Sequence, residues 1–236
     1  MAPNKKSKTS KRKSNKTLFI AIGIIAIILV GIGAYAMMGQ SSNQPANVTP
    51  TPSLTPAPNT SSMPSPTTSD PLYSNPTKVL LQTNVGNISL ELRSDKPITT
   101  NNFETLVREG KYDLTVFHRV IAGFMIQGGA ISDNIPTIAD EIGTNNRNIA
   151  YTIAMAKTSQ PNSATSQFFI NVADNGNIVI DQAGTKFDAV YSVFGKVILG
   201  QSVVDAIANA PVTSNAYEAN STPINPVTII KATILP

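Results

Sequence analysis

Polar side chains interrupt an otherwise apolar stretch between residues 115 and 130, and their types suit the binding of an amide. The sequence there is TVFHRVIAGFMIQGGA, with His118, Arg119 and Gln127 among phenylalanine, methionine, valine and isoleucine. A guanidinium and an amide beside large apolar side chains are typical of a shallow pocket for an apolar group next to an amide bond. Neither a carboxylate pair nor a Ser/His/Asp set accompanies them, so hydrolysis is not indicated. On spacing alone, a surface arginine and a structural imidazole are the simpler interpretations of Arg119 and His118.

Two short β-type runs, 115–120 and 124–129, must position these side chains. Successive side chains of a strand point to opposite faces of the sheet. On the first run, alternation therefore places Phe117 and Arg119 on one face. On the second run, Gln127 shares a face with Met125, and glycines at 123, 128 and 129 mark bends or close backbone approaches.

Composition excludes several classes of function. The 236 residues include no cysteine, no tryptophan and one histidine, which excludes a disulfide scaffold, a cysteine zinc cluster and a thiol nucleophile, and disfavours a histidine metal site. Seven of the eighteen basic residues lie within the first sixteen positions, which contain no acidic residue. Without that arm the chain has 11 basic and 14 acidic residues, so the basic balance does not indicate nucleic-acid binding by the folded part.

An uncharged apolar run, 18–38, follows the basic arm. As a helix it would be about 32 Å long, enough to cross a hydrocarbon core of about 30 Å. Lysines before it and none directly after it predict a cytoplasmic N-terminus and an extracytoplasmic remainder. We therefore expect a single-pass anchor in the cytoplasmic membrane. The alternative is a cleaved signal peptide, because the AYA at 34–36 resembles a cleavage site.

A segment rich in proline, serine and threonine follows, and we expect it to be a disordered linker over residues 39–77. Residues 40–77 contain nine prolines and fifteen serines or threonines but only one charged residue, Asp70. Such a segment buries too little apolar surface to offset the entropy of ordering. The predicted organisation is thus a basic tail (1–17), a transmembrane helix (18–38), this linker, and one domain over 78–236.

The chain from residue 78 to its end contains short β-type runs and few helical ones. Two segments are predicted to be helical. Segment 98–110 begins after Pro97 and is stopped by Gly110, and segment 200–210 has an apolar stripe and is stopped by Pro211. Eight runs are predicted to be strands: 78–84, 87–93, 115–120, 124–129, 150–156, 166–172, 192–198 and 226–235. Many short strands with two helices favour an antiparallel barrel or sandwich.

Three ordered blocks carry a resemblance to a known family. They are FHRVIAGFMIQGG (117–129), IAMAKTSQPNSATSQFFINVADN (153–175) and VFGKVILGQSVVDAI (193–207). With these blocks, the domain resembles the cyclophilin family of peptidyl-prolyl cis-trans isomerases over nearly all of 78–236. The details are closer to the bacterial or archaeal type than to the eukaryotic cytosolic one.

The resemblance implies a mostly β fold, a closed eight-stranded antiparallel barrel capped by two helices, with the substrate groove on its outside. Arg119 matches the family's catalytic arginine, and His118 flanks the site. Side chains of the opposite parity would then fill the barrel. The substrate-binding residues that the resemblance implies are Phe124, Met125, Gln127, Ala156, Lys157 through its backbone, Gln167, Phe169, Ile180 and Tyr191, the last where many relatives have histidine.

The function implied is isomerisation of X-Pro bonds without metal, nucleotide or other cofactor. We expect the domain to act outside the cytoplasmic membrane on proline-containing segments of exported or membrane-proximal proteins and to assist their folding. One alternative is a catalytically weak cyclophilin-like module that binds proline-containing segments of a partner. Another is a structural surface protein, which would account for the linker but not for the groove.

Three departures from the family pattern bear on these expectations. Ala122 stands where relatives usually have proline, which should loosen a turn. The segment 175–191 is longer than its counterparts, so Ile180 is assigned to within a residue or two. The chain has no tryptophan, and many relatives use an indole to hold cyclosporin, so we expect weak or no cyclosporin binding.

Overall fold

A computed structural model describes residues 71–236, and all eight predicted strands and both predicted helices are present. The helices are α1 (Pro97–Arg108) and α2 (Gln201–Ala208). The strands are β1 Lys78–Thr83, β2 Gly86–Leu92, β3 Arg119–Ile121, β4 Met125–Gly128, β5 Thr152–Met155, β6 Phe168–Asn171, β7 Val193–Leu199, β8 Val212–Thr213, β9 Thr222–Pro223 and β10 Ile229–Leu235. The β8–β9 hairpin and two short 3-10 helices, Pro71–Tyr73 and Phe187–Ala189, are additional to the prediction.

The segment just before the domain is ordered where the sequence suggested a disordered linker. Within 71–77, the backbone oxygens of Leu72 and Thr77 accept hydrogen bonds from Ser94 and Leu92 at 3.0 and 2.9 Å. The Lys196 Nζ atom lies 3.9 Å from the centre of the Tyr73 ring, a cation–π contact. These partners on and beside β2 and on β7 give the segment fixed contacts that its composition does not reveal.

The other predictions for the N-terminal part, the tail over 1–17, the helix over 18–38 and the linker up to residue 70, lie outside the described residues. Across 71–236, the structure contains no helix that is both long and apolar enough to span a bilayer.

All strands except β8 and β9 form one curled antiparallel sheet in the order β10-β1-β2-β7-β5-β6-β4-β3. The expected closed barrel is therefore not formed by a continuous ladder, because β10 and β3 are edges. Backbone hydrogen bonds join the segment before β3 to the chain around residues 227–229, with Leu114 N to Ile229 O at 2.7 Å and Phe117 N to Val227 O at 2.9 Å. Strand β3 itself bonds to the β8–β9 hairpin through Val120 N and Ser221 O at 2.8 Å, so it cannot pair with β10.

Aromatic side chains form the centre of the main core, inside the curled sheet and under α1. Phe168 is fully buried and meets three other rings edge-on, those of Phe103 and Tyr112 at 5.6 Å and that of Phe117 at 6.1 Å between centroids. Gly129 has φ 72° and lies against this cluster, where an added Cβ would stand 2.8 Å from the Phe168 and Tyr112 rings. A side chain at that position is therefore excluded both by conformation and by space.

One expectation about strand faces is wrong. Phe117 does not share the face of Arg119, because it is fully buried in the main core. The strand begins only at Arg119, and the preceding residues turn across the gap between the sheet edges, with Leu114 at φ 63°. Alternation does hold within the strand itself, since Val120 points into the core while Arg119 and Ile121 do not.

Candidate active site

Four neighbouring strands place one residue each in a single row across the outside of the sheet. Arg119 on β3 is paired with Gln127 on β4, Gln127 with Phe169 on β6, and Phe169 with Ala154 on β5. Directly opposite residues of antiparallel strands have Cβ atoms about 4.5–5.5 Å apart. The register therefore assembles a cation, an amide and a ring into one surface from separate segments of the chain.

The polar members of this row form a chain of contacts. The Arg119 Nη1 atom lies 3.4 Å from the Gln127 Oε1 atom and 3.7 Å from the Met125 Sδ atom. On its other side, Gln127 donates from Nε2 to the Gln167 Oε1 atom at 2.9 Å. Because Gln127 is nearly buried, these contacts fix its amide with the oxygen toward the guanidinium.

An apolar cluster, separate from the main core, lies next to this polar chain. We call it the groove cluster; its buried members are Met125, Ala154, Phe169, Phe187, Tyr191 and Val193, and its partly buried edge is Ile121, Phe124, Ala156, Ile178, Ile180 and Val190. The Phe187 ring is central, with centroids 4.4 Å from Tyr191, 5.5 Å from Phe124 and 5.7 Å from Phe169. The buried rings of Phe169, Phe187 and Tyr191 form the floor of the cluster, and the Phe124 ring belongs to its accessible edge.

A buried asparagine holds the turn that presents Phe124. The Asn175 Nδ2 group donates to the Phe124 backbone oxygen at 2.7 Å and to the Asn171 Oδ1 atom at 2.7 Å. The turn itself closes through Phe124 N and Ile121 O at 3.0 Å, with Gly123 at φ 71°. The turn is therefore defined although residue 122 is alanine, because Gly123 and the hydrogen bond from Asn175 hold it.

A carboxylate from a distant loop pairs with the guanidinium. Glu218 lies between β8 and β9, and its Oε2 and Oε1 atoms accept hydrogen bonds from Arg119 Nε and Nη2, each at 2.6 Å. Both side chains are largely covered, with 16% of Arg119 and 23% of Glu218 exposed. The hydrogen bond from Arg119 holds the pKa of the Glu218 carboxyl below its ordinary value. The pair is therefore ionic at neutral pH.

Comparison with known proteins identifies the family of this chain. The family model described as "Cyclophilin type peptidyl-prolyl cis-trans isomerase/CLD" matches residues 78–234. The chain belongs to this family. It is a cyclophilin-type peptidyl-prolyl cis-trans isomerase, and the expectation drawn from the three sequence blocks is confirmed at that level.

Curated relatives and solved structures agree with this membership. The peptidyl-prolyl cis-trans isomerase of Acinetobacter baylyi is 47% identical over 165 residues, which cover 67% of this chain and 85% of that protein. Peptidyl-prolyl cis-trans isomerase A of Dickeya dadantii is 43% identical over 166 residues, with the same coverage of 67% and 85%. The crystal structure of a Cryptosporidium parvum cyclophilin superposes with a TM-score of 0.58 at 27% identity, covering 68% of this chain and 98% of that one.

In this cyclophilin, most of the residues expected at the site lie together. Arg119, Gln127 and Gln167 form the polar chain, and the other predicted substrate-binding side chains on the groove are Phe124, Met125, Ala156, Phe169, Ile180 and Tyr191. Ile180 packs on the groove cluster as expected, although Ile178 does so too. The roles assigned to these residues remain predictions.

Two further expected residues belong neither to the polar chain nor to the groove cluster. The Lys157 side chain is turned into an ion pair, with Nζ 2.6 Å from the Asp140 Oδ2 atom, so only its backbone is available to a ligand. The backbone nitrogen of His118 donates to the Gln127 oxygen at 3.0 Å. Burial lowers the pKa of the His118 imidazole, and the positive charge of Arg119 lowers it further. His118 is therefore neutral at neutral pH.

Sequence reasoning missed two residues of this cyclophilin's candidate site. Phe187 stands at the centre of the groove cluster, and its spacing of four residues before Tyr191 within an apolar stretch was the available signal. Glu218 had no signal, since it lies 99 positions from Arg119 in a loop with no strand-like pattern. Only the fold brings it to the guanidinium.

Proposed function

We propose that this cyclophilin isomerises X-Pro bonds in polypeptides outside the cytoplasmic membrane, assists their folding, and is held at that membrane by residues 18–38. The observation that supports the catalytic assignment is the position of the Arg119 Nη1 atom, 3.7 Å from Met125 Sδ at the rim of the groove cluster. A proline ring seated on Met125 would place its amide beside a hydrogen-bond donor.

The reaction needs no bond to be made or broken. Rotation about a peptide bond meets a barrier of about 18–20 kcal/mol because amide resonance is lost, and uncatalysed X-Pro isomerisation takes tens to hundreds of seconds. In the twisted transition state the proline nitrogen regains a lone pair. A guanidinium beside it donates a hydrogen bond that the planar amide accepts poorly, so the transition state is bound more tightly than the substrate.

A hydrogen bond from Arg119 can account for only part of the expected lowering of the barrier. A rate increase of about 10⁵ needs about 7 kcal/mol, whereas one hydrogen bond to a charged group contributes about 1.5–3 kcal/mol. We attribute the remainder to contacts of Phe124, Met125 and Phe169 with the proline ring and to the removal of water from the amide. We therefore expect pocket variants to lower activity as well as binding.

The proposed location rests on the sequence before the linker, the basic tail and the apolar run. Deleting residues 1–38 should release the protein from the carbonate-resistant membrane fraction of a bacterial host, because the apolar helix is the proposed anchor. Protease added to spheroplasts should cut the linker of the full-length protein, release the domain from the cells and leave a small N-terminal fragment inside. A mature N-terminus near Ala36, found by mass spectrometry, would show a cleaved signal peptide, and full-length protein that stays uncut until the cells are lysed would contradict the orientation.

The second candidate function, a proline-binding module with little turnover, is favoured by one observation. Glu218 occupies the Nε and Nη2 donors of Arg119, which leaves fewer donors for a substrate. Exchange NMR on an X-Pro peptide with the full-length protein separates the two. Exchange faster than the peptide alone supports the enzyme, and chemical-shift changes without faster exchange support the binding module.

Cyclosporin binding should be weak. The chain contains no tryptophan, so no indole is available as a hydrogen-bond donor to the drug. We expect a dissociation constant above about 1 µM by calorimetry with the full-length protein in detergent, with an X-Pro peptide as the positive control for an intact groove. Submicromolar binding would contradict this expectation.

A further inference from the structure

The loop between β8 and β9 carries the Glu218 carboxylate, which pairs with the proposed catalytic arginine along the Nε edge of its guanidinium. Arginine has five N–H donors in one plane. The bidentate pair with Glu218 uses the Nε edge, through Nε and Nη2. The Nη1 group stays on the other edge, 3.4 Å from Gln127 Oε1 and 3.7 Å from Met125 Sδ. Only one of these two edges faces the pocket.

The loop that carries Glu218 is itself held by local hydrogen bonds. The Asn215 Oδ1 atom accepts from the backbone nitrogens of Tyr217 and Glu218, each at 2.8 Å, and Asn215 Nδ2 donates to Thr222 Oγ1 at 2.8 Å. The backbone nitrogen of Asn215 donates back to the Glu218 oxygen at 2.9 Å. The turn around Asn215 thus fixes the backbone of Glu218.

The same loop is fastened directly beside Arg119. Ser221 is fully buried. Its backbone nitrogen donates to the Thr213 backbone oxygen at 3.1 Å, and its backbone oxygen accepts from the Val120 nitrogen at 2.8 Å. Val120 follows Arg119 in β3, so this hydrogen bond joins the β8–β9 hairpin to the backbone next to the arginine. The backbone that carries the Glu218 carboxylate is therefore held in place relative to Arg119.

We propose that Glu218 is a positioning residue for Arg119, orienting the guanidinium so that Nη1 faces the proline pocket. An arginine side chain has many rotamers, and a bidentate carboxylate selects one of them in advance. Pre-organised donors act on the transition state without reorganisation at the moment of reaction. The role rests on the proposed isomerase function and goes beyond it by adding a residue that touches Arg119 and not the substrate.

The test is Glu218→Ala in the full-length protein, assayed by exchange NMR on an X-Pro peptide. We expect kcat to fall about tenfold with KM changed less than twofold, because the pocket is untouched while the arginine loses its orientation. The kcat of Glu218→Gln should lie between those of the wild type and Glu218→Ala, since the glutamine amide offers one acceptor oxygen in place of two. Glu104→Ala is the matched control; it removes a carboxylate that pairs with Arg108 at 3.1 Å on α1 and should leave kcat unchanged.

A spectroscopic readout separates positioning from a loss of fold. In the wild type, the Arg119 Nε–H signal should be shifted downfield and protected from exchange with water, and it should lose both properties as pH falls and Glu218 is protonated. In Glu218→Ala the signal should be unprotected at every pH while the backbone spectrum stays folded.

Three outcomes would overturn the proposal. They are unchanged kcat in Glu218→Ala, increased kcat, which would mean that the carboxylate masks the arginine, and an Nε–H signal that the substitution leaves unchanged. An inactive wild type would instead remove the proposed isomerase function, and the Nε–H measurement would still report on the pair.

Discussion

Replacement of Arg119 by alanine is expected to lower kcat/KM for an X-Pro peptide by about 100-fold. A hydrogen bond to a charged group contributes about 1.5–3 kcal/mol, and each 1.36 kcal/mol corresponds to a factor of about ten in rate. The upper end applies because the substitution also leaves the largely covered Glu218 carboxylate without its partner. The measurement is exchange NMR with the full-length protein in detergent.

Two further variants sharpen this experiment. Arg119→Lys keeps the charge but cannot form the bidentate pair, so we expect at least a tenfold loss. Arg108→Ala removes an exposed arginine of α1, whose side chain is 62% exposed, and should leave the rate unchanged. An Arg119→Ala enzyme within threefold of the wild type would show that the groove cluster alone accelerates the reaction.

Replacement of Phe168 by alanine is expected to lower the free energy of unfolding by about 3–5 kcal/mol, the usual range for a buried Phe→Ala change. Phe168 is fully buried and its ring meets those of Phe103, Tyr112 and Phe117 edge-on, so the surrounding side chains cannot all close the cavity. For a domain of this size the loss corresponds to a fall in Tm of about 6–20 °C. Thermal unfolding followed by circular dichroism measures it.

The neighbouring groove offers a matched control for that change. Phe124→Ala removes the same atoms from a partly exposed ring at the edge of the groove cluster. We expect less than half the loss of stability, because the ring is only partly buried. We also expect a higher KM, because Phe124 is one of the residues proposed to bind the proline. Equal losses of stability in the two variants would contradict the division into a main core and a separate groove cluster.

Local patterns were sufficient for the eight strands of the main sheet, for both α-helices and for much of the groove. The strands and helices follow from apolar periodicity, and most groove residues follow from sequence blocks shared with a family. The third strand shows where the pattern fails, because hydrogen bonds from Leu114 and Phe117 to the chain at 227–229 turn Phe117 into the core. Alternation assumes a continuous strand, and here the strand starts only at Arg119.

The residues that escaped prediction depend on long-range contacts. Glu218 is defined as part of the site only by its pairing with Arg119, and Phe187 by three ring contacts in the groove cluster. Likewise, the order of residues 71–77 depends on Lys196 and on the backbones of Leu92 and Ser94. Most of these partners are distant in sequence. Apart from the spacing of Phe187 and Tyr191, periodicity and composition therefore carry no trace of them.

The order of strands in the sheet has a consequence for how the domain forms during synthesis. Strand β1 lies between β2 and β10, and Lys78 is paired with Leu235, close to the C-terminus. Early in translation, β1 has only one of its two neighbours, and its second row of backbone groups stays unpaired. Such non-local pairing slows folding and exposes strand edges to aggregation until it is complete. The domain should therefore reach protease resistance only after residues 229–235 have emerged, as a late and cooperative step.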